Sequence, residues 1–131
     1  MKKINQTILH DPDKGQVGDC MRACVASIFE FPIEEVPHFV EKEGKGGWIK
    51  SYLRFLHSIG WSVYAVEAKD GKHELPEPGE HAYYAAIGTS PRDPEVNHMV
   101  VCHKGQVVHD PHPDKLGLET IKYFEFYFRL I

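Results

Sequence analysis

The chain has 131 residues, 15 basic against 19 acidic for a formal net charge of -4, and 42% apolar residues. That content supports one hydrophobic core, so a single domain over residues 1–131 is expected, without metal or disulfide support. The mild negative charge, with no basic patch interleaved with aromatics, argues against a nucleic-acid partner, and no apolar run is long enough to cross a membrane.

Residues 1 to 15 hold a short alternating apolar piece around Ile4 to Leu9, then the turn formers Asp11-Pro12-Asp13-Lys14-Gly15, which predicts an edge strand or arm and a loop. The run QVGDCMRACVASIFEF follows, from Gln16 to Phe31. Met21, Cys24, Val25, Ile28 and Phe29 recur at helical spacing, Asp19 is a good N-cap residue after Gly18, and Pro32 ends the helix after Phe31. Cys20 therefore falls in the first helical turn. Unpaired backbone N–H groups and the positive end of the helix dipole favour a thiolate there.

Pro32 and Pro37 bracket one acidic turn that packs Ile33 and Val36 on the core, and Glu41 to Gly47 reads as a charged, glycine-rich connection. Trp48, Ile49, Tyr52, Leu53, Leu56 and Ile59 mark a second helix closed by Gly60. The segments Trp61 to Ala68 and His81 to Gly88 read as strands, with loops at residues 69 to 80 and 89 to 96. Thr120 to Ile131 forms a long final strand. Phe124, Phe126, Phe128 and Leu130 share one side of it and Tyr123, Glu125, Tyr127 and Arg129 the other, so one side is expected to face the core.

Between these lie two short strands, Asn97 to Cys102 and Gln106 to Asp110, around His103-Lys104-Gly105. A three-residue loop ending in glycine would pair Cys102 with Gln106, Val100 with Val108 and His98 with Asp110, all on one side of the ribbon. Val100 and Val108 would then lie against the Cys20 helix. A slip of one residue would carry Asp110 to the other side.

A thiol at a helix start, a histidine on a strand and an acid on the neighbouring strand are the parts of a cysteine nucleophile, its general base and the group that orients the base. The order is Cys20, His98, Asp110. Gln16 is close enough in sequence to set a carboxamide beside the thiol, where it and the Cys20 N–H would form an oxyanion hole.

With QVGDCMRACVASIF for the nucleophile helix and NHMVVCHKGQVVHDPHP for the histidine and aspartate strands, the chain resembles the papain-like cysteine peptidase superfamily. Within it, the chain is similar to the small peptidase C39-like proteins. It also looks like small phage and prophage proteins with GDC or GNC, ACVAS and VHDPHP strings. The resemblance implies an α+β fold of little more than the papain-like minimal core, its N-terminal helix packed on an antiparallel sheet. It further implies thiol-dependent acyl chemistry on a peptide, protein or small amide substrate, without a cofactor or catalytic metal. Carried over by position, Cys20 is the nucleophile, His98 the base, Asp110 the orienting residue and Gln16 the oxyanion donor. Met21 stands where papain has glycine, and bacteriocin-processing C39 peptidases place their glutamine farther upstream of the cysteine than Gln16 lies from Cys20.

Two other classes fit the same residues. Cys20, Cys24, His98 and Cys102 read as a CxxxC and HxxxC set that could hold tetrahedral zinc. The aromatic and glycine residues around Trp48 could line the groove of a non-catalytic binding module. Three cysteines cannot all pair, and MKKINQTILHDPDKG lacks the apolar core of a signal peptide, so a reducing cytoplasm is the expected location. Nothing in the spacing sets an oligomeric state.

Overall fold

Alternation along residues 120–129 produces a strand that is sought from both sides. In the computed structural model, which describes residues 1–42, 47–69 and 82–131, that strand lies second in a five-stranded antiparallel sheet. The strands are β1 (Trp61–Glu67), β2 (Tyr83–Thr89), β3 (Asn97–His103), β4 (Gln106–His109) and β5 (Thr120–Arg129), in spatial order β1-β5-β2-β3-β4. Three helices, α1 (Cys20–Phe29), the single turn α2 (Phe39–Lys42) and α3 (Trp48–Ser58), complete the α+β architecture. The connections expected at 41–47 and 69–80 fall largely outside the described residues. No helix among the described residues is long and apolar enough to cross a membrane.

The helices cover one side of the sheet. Met21, Cys24 and Val25 of α1, with Tyr52 and Leu56 of α3, pack on Ala85, Ile87, Met99 and Val101. On the other side Tyr84, Ala86, Val100, Cys102, Phe124 and Phe126 form a second cluster. Complete burial of side chains such as Val25, Phe39 and Leu56 stabilises the fold by about 1.5–3 kcal/mol each. The final strand thus differs from the one-sided strand expected of it. With neighbours on both edges it contributes Tyr123 and Tyr127 to the helix side and Phe124 and Phe126 to the other.

Close approach of two strands explains one glycine. A Cβ on Gly88 would lie 1.7 Å from the Thr120 carbonyl oxygen, so β5 presses directly on β2 where the β2–β5 register shifts. Gly88 also pairs with His98, which places this tight crossing beside the candidate site.

The segment before α1 is an arm, not a strand. Its first half bonds to the end of α1, with Lys2 N–H donating to Ser27 O (2.9 Å) and Ile4 N–H to Ser27 Oγ (3.1 Å). The same stretch bonds to the end of β4, where His109 Nε2 meets Ile4 O (2.7 Å) and Gln6 N–H donates to Pro111 O (2.9 Å). It then makes a 3-10 turn at Pro12–Lys14 and a bridge between Asp11 and Gln16.

Candidate functional site

Cys20 is the first residue of α1 and is half-buried. The approach to it is crowded: a Cβ on Gly18 would sit 2.9 Å from His10 N and 3.2 Å from Gln6 Nε2, so the chain passes against the arm only because residue 18 is glycine. Asp19 holds the N-cap position without capping. Its fully buried carboxylate instead accepts from Thr7 N–H (2.9 Å), Thr7 Oγ1 (2.7 Å) and Ile8 N–H (2.8 Å), with Arg22 Nη1 at 3.6 Å. These donors from the arm take the oxygens that the helix N–H groups would otherwise have used. At its far end α1 stops at Phe29, with Glu30 left-handed (φ 58°), two residues before the expected Phe31.

The hairpin that carries His98 and Asp110 reaches the expected juxtaposition by a different register. His103 pairs with Gln106 and Cys102 with Val107, around a two-residue turn in which Lys104 (φ 51°) and Gly105 (φ 73°) are both left-handed. This is the primed turn that matches strand twist, and it displaces the expected three-residue loop. Alone it would send Asp110 to the wrong side. A bulge between Val101 and Cys102 supplies one more residue, so Val101 pairs with His109. Extended, that register sets Asp110 opposite Val100, one diagonal step from His98 on the same side of the ribbon. The expected pairs Cys102–Gln106 and Val100–Val108 are absent, and Val100 packs in the second cluster while Met99 and Val101 meet the α1 side.

His98 Nε2 lies 2.7 Å from Asp110 Oδ1, and each side chain is 4% exposed. Asp110 Oδ1 also accepts from His112 N–H (2.9 Å) and Oδ2 from Gly117 N–H (2.7 Å). Burial alone would raise this carboxyl. The bonds from His98, His112 and Gly117 reverse that and hold it at about 2. An ionised carboxylate only accepts, so Nε2 carries a proton and Nδ1 is the ring nitrogen left for another partner.

The Cys20 thiol lies near enough to the same ring to act on it. Burial pulls His98 down, but its hydrogen bonds to Asp110 and to the Cys20 thiol, together with their charges, hold the imidazolium up to about 9. Around the ring, His112 stands edge-on to His98 (centroids 6.2 Å, 78°), and Arg92 Nη1 bonds both oxygens of Asp114 at 2.9 Å. The loop before β3 and the loop after β4 are thereby tied together beside the site.

The remaining candidates separate cleanly. Cys24, one turn below Cys20, is fully buried, donates to Met99 O (3.4 Å), and burial pushes its thiol well up. Burial likewise pushes Cys102 up to about 12. Among the described residues no three His, Cys, Asp or Glu side chains are placed to hold a metal, so the four proposed zinc ligands are not assembled as a site. Gln16 donates its carboxamide to Leu9 O (2.6 Å). Gln6 is the carboxamide set against Gly18. It donates to Ile8 O (2.8 Å), and its buried Oε1 has no partner among the described residues. A concavity of about 590 Å³ lined by Ile8, Arg22 and residues 34–38 lies apart from the three central side chains.

Sequence reasoning missed the arm as a clamp. Thr7 and Gln6 belong to no motif, and the burial of Asp19, which takes its donors from Thr7 and Ile8, is invisible before folding. Alternation places Tyr123 on its strand and gives it no role, although its pKa, raised to about 12 mainly by burial, also feels Cys20. No family model matches the chain, and neither a curated protein nor a solved structure is significantly similar to it.

Proposed function

We propose that the protein is a thiol hydrolase or acyl transferase of papain-like, C39-like type, acting on an amide bond of a peptide, protein or small molecule through Cys20, His98 and Asp110. The observation that carries this reading is the buried 2.7 Å contact of His98 Nε2 with Asp110 Oδ1, with the Cys20 thiol near enough to the same ring to raise its pKa. A nucleophile, a base and an orienting acid grouped in this way support a thiolate–imidazolium pair.

In this mechanism the Cys20 thiolate attacks the carbonyl carbon, a C–S bond forms, and charge develops on the carbonyl oxygen. The Cys20 N–H at the helix start faces that charge, assisted by the Gln16 or Gln6 carboxamide. The imidazolium of His98 gives its proton to the departing nitrogen as the C–N bond breaks. Water or an acceptor amine then attacks the thioester and returns the thiol. Asp110 fixes the ring and stabilises its cationic form throughout.

Substoichiometric iodoacetamide at neutral pH, followed by peptide mapping, tests the proposal. Cys20 is expected to alkylate ahead of Cys24 and Cys102 and well above the rate of a free thiol, and His98→Ala is expected to abolish that excess. Alkylation of Cys20 at the free-thiol rate, unchanged by His98→Ala, would overturn it.

A further inference from the structure

We infer that Arg92 and Asp114 are positioning residues of the site: their ion pair clasps the loop that leads to His98 against the turn that follows Asp110, and so keeps acid and base aligned. The inference rests on the thiol reading for the use that Cys20 makes of that alignment.

The carboxylate of Asp110 depends on an irregular turn. Two backbone groups that donate to it, His112 N–H (2.9 Å) and Gly117 N–H (2.7 Å), come from residues 112–117. That turn is left-handed at Lys115 (φ 58°) as well as at Gly117 (φ 75°). A residue other than glycine keeps such a backbone only where its surroundings hold it there. Asp114 is the hub of those surroundings. Its Oδ1 accepts from Leu116 N–H (3.0 Å), next to Gly117, and its own N–H donates to His112 Nδ1 (3.1 Å). The His112 ring fixed in this way is the one that stands edge-on to His98. Lys115 adds a second tie, donating from Nζ to Asp110 O (2.6 Å) and to Asn5 Oδ1 (2.7 Å).

Arg92 connects this turn to the other half of the site. Its Nη1 meets both oxygens of Asp114 at 2.9 Å, and its own loop runs into β3 just ahead of His98. That loop is anchored in turn: Arg92 N–H donates to Ser90 Oγ (3.2 Å), and the buried Ser90 donates its N–H to Val96 O (2.9 Å). The Arg92 and Asp114 side chains are 27% and 29% exposed. An ion pair so placed contributes little to overall stability, so its effect belongs to alignment rather than to folding. The groups that act on His98 are Asp110 and Cys20, with His112 beside the ring, while Arg92, Asp114, His98 and Asp110 act on His112.

An NMR titration of protein labelled with ¹⁵N-histidine reads the midpoint of His98 without any turnover. With the clasp broken, Asp110 swings away from Nε2. Arg92→Ala and Asp114→Ala should therefore each lower the His98 midpoint by about one pH unit. The pH at which Cys20 loses its excess reactivity should fall with it. The double variant should shift no further than either single one, because both break the same link. Arg92→Lys, which keeps a cationic donor, should retain most of the parent midpoint. Direct charge effects would have opposite signs, since losing an anion lowers the midpoint and losing a cation raises it. His109, buried in the same hairpin and bonded to Ile4 O, should keep its own midpoint. A rise in Arg92→Ala, no shift in either variant, or His98 and His109 moving together would overturn the clasp. A parent Cys20 that reacts as a free thiol would count against the thiol reading alone, because the His98 titration is read independently of it.

Discussion

Two acids near the Cys20 helix are equally buried and are treated oppositely by the fold. Asp110 is 5% exposed and Glu125 4%. Among the described residues Asp110 receives three donors, from His98, His112 and Gly117, and is held at about 2, whereas Glu125 receives one, from Tyr52, and is raised. Donor supply, not depth, decides in which direction each carboxyl is shifted. The richly supplied one is fit to orient a base.

Removing the charge of Asp110 should give the largest effect. In Asp110→Asn the carboxamide no longer compels a proton on Nε2, so the imidazole loses its orientation and its cationic form. The rate of Cys20 acylation by an activated amide or ester is expected to fall about 10²–10⁴-fold, measured by stopped-flow or mass spectrometry. The stability effect has a defined sign. Because the folded value is lowered from 3.8 to about 2, Asp110 stabilises the protein above about pH 4 and loses that contribution as pH falls through about 2. The amount is about 2 kcal/mol, shared with His98. His98 runs the other way. Raised from 6.5 to about 9, it stabilises below its unfolded value, and the excess reactivity of Cys20 over a free thiol should fade as pH passes about 9.

A third acid extends the comparison. Asp19 is fully buried and takes three donors from Thr7 and Ile8 with Arg22 nearby, so it is supplied as richly as Asp110 but spends those bonds on the arm. Asp19→Ala should cost about 3 kcal/mol of stability by stranding those donors, read from chemical denaturation. An arm released from α1 would also show faster amide exchange at Thr7 and Ile8.

How much of this was legible before folding follows from the range of each interaction. The α1 and α3 stripes, the final strand and the Cys20, His98, Asp110 constellation are written in local periodicity and spacing. The hairpin register is not, because a primed two-residue turn and a compensating bulge restore the same side that a three-residue loop would have given. Sequence distance favours Asp19 as the cap of its own helix, while the arm that captures it lies eleven and twelve residues away. The Glu67–Tyr123 pairing depends on strand order, which no spacing between them encodes.

Glu125→Gln should show the opposite stability sign to Asp110→Asn. Its folded value is raised, so ionised Glu125 opposes folding above about pH 4, and glutamine removes that cost while keeping an acceptor for Tyr52. At pH 7 the variant should be as stable as the parent or more so, within about 1 kcal/mol. The difference should vanish on acidification. A clear loss at pH 7 would mean that Glu125 is held charged by the core.

The smallest effect is expected at Gln16. Its carboxamide is engaged by Leu9 O at 2.6 Å on the outer arm, whereas the carboxamide of Gln6 is packed against Gly18, with a buried oxygen left unpartnered. Gln16→Ala should change the acylation rate of Cys20 by no more than about twofold, at the level of one partly exposed hydrogen bond. Gln6→Ala should cost about tenfold or more, in the range of a lost oxyanion donor. Measured on the same acyl donor, the reverse order would return the oxyanion role to Gln16 and leave Gln6 as packing for the arm.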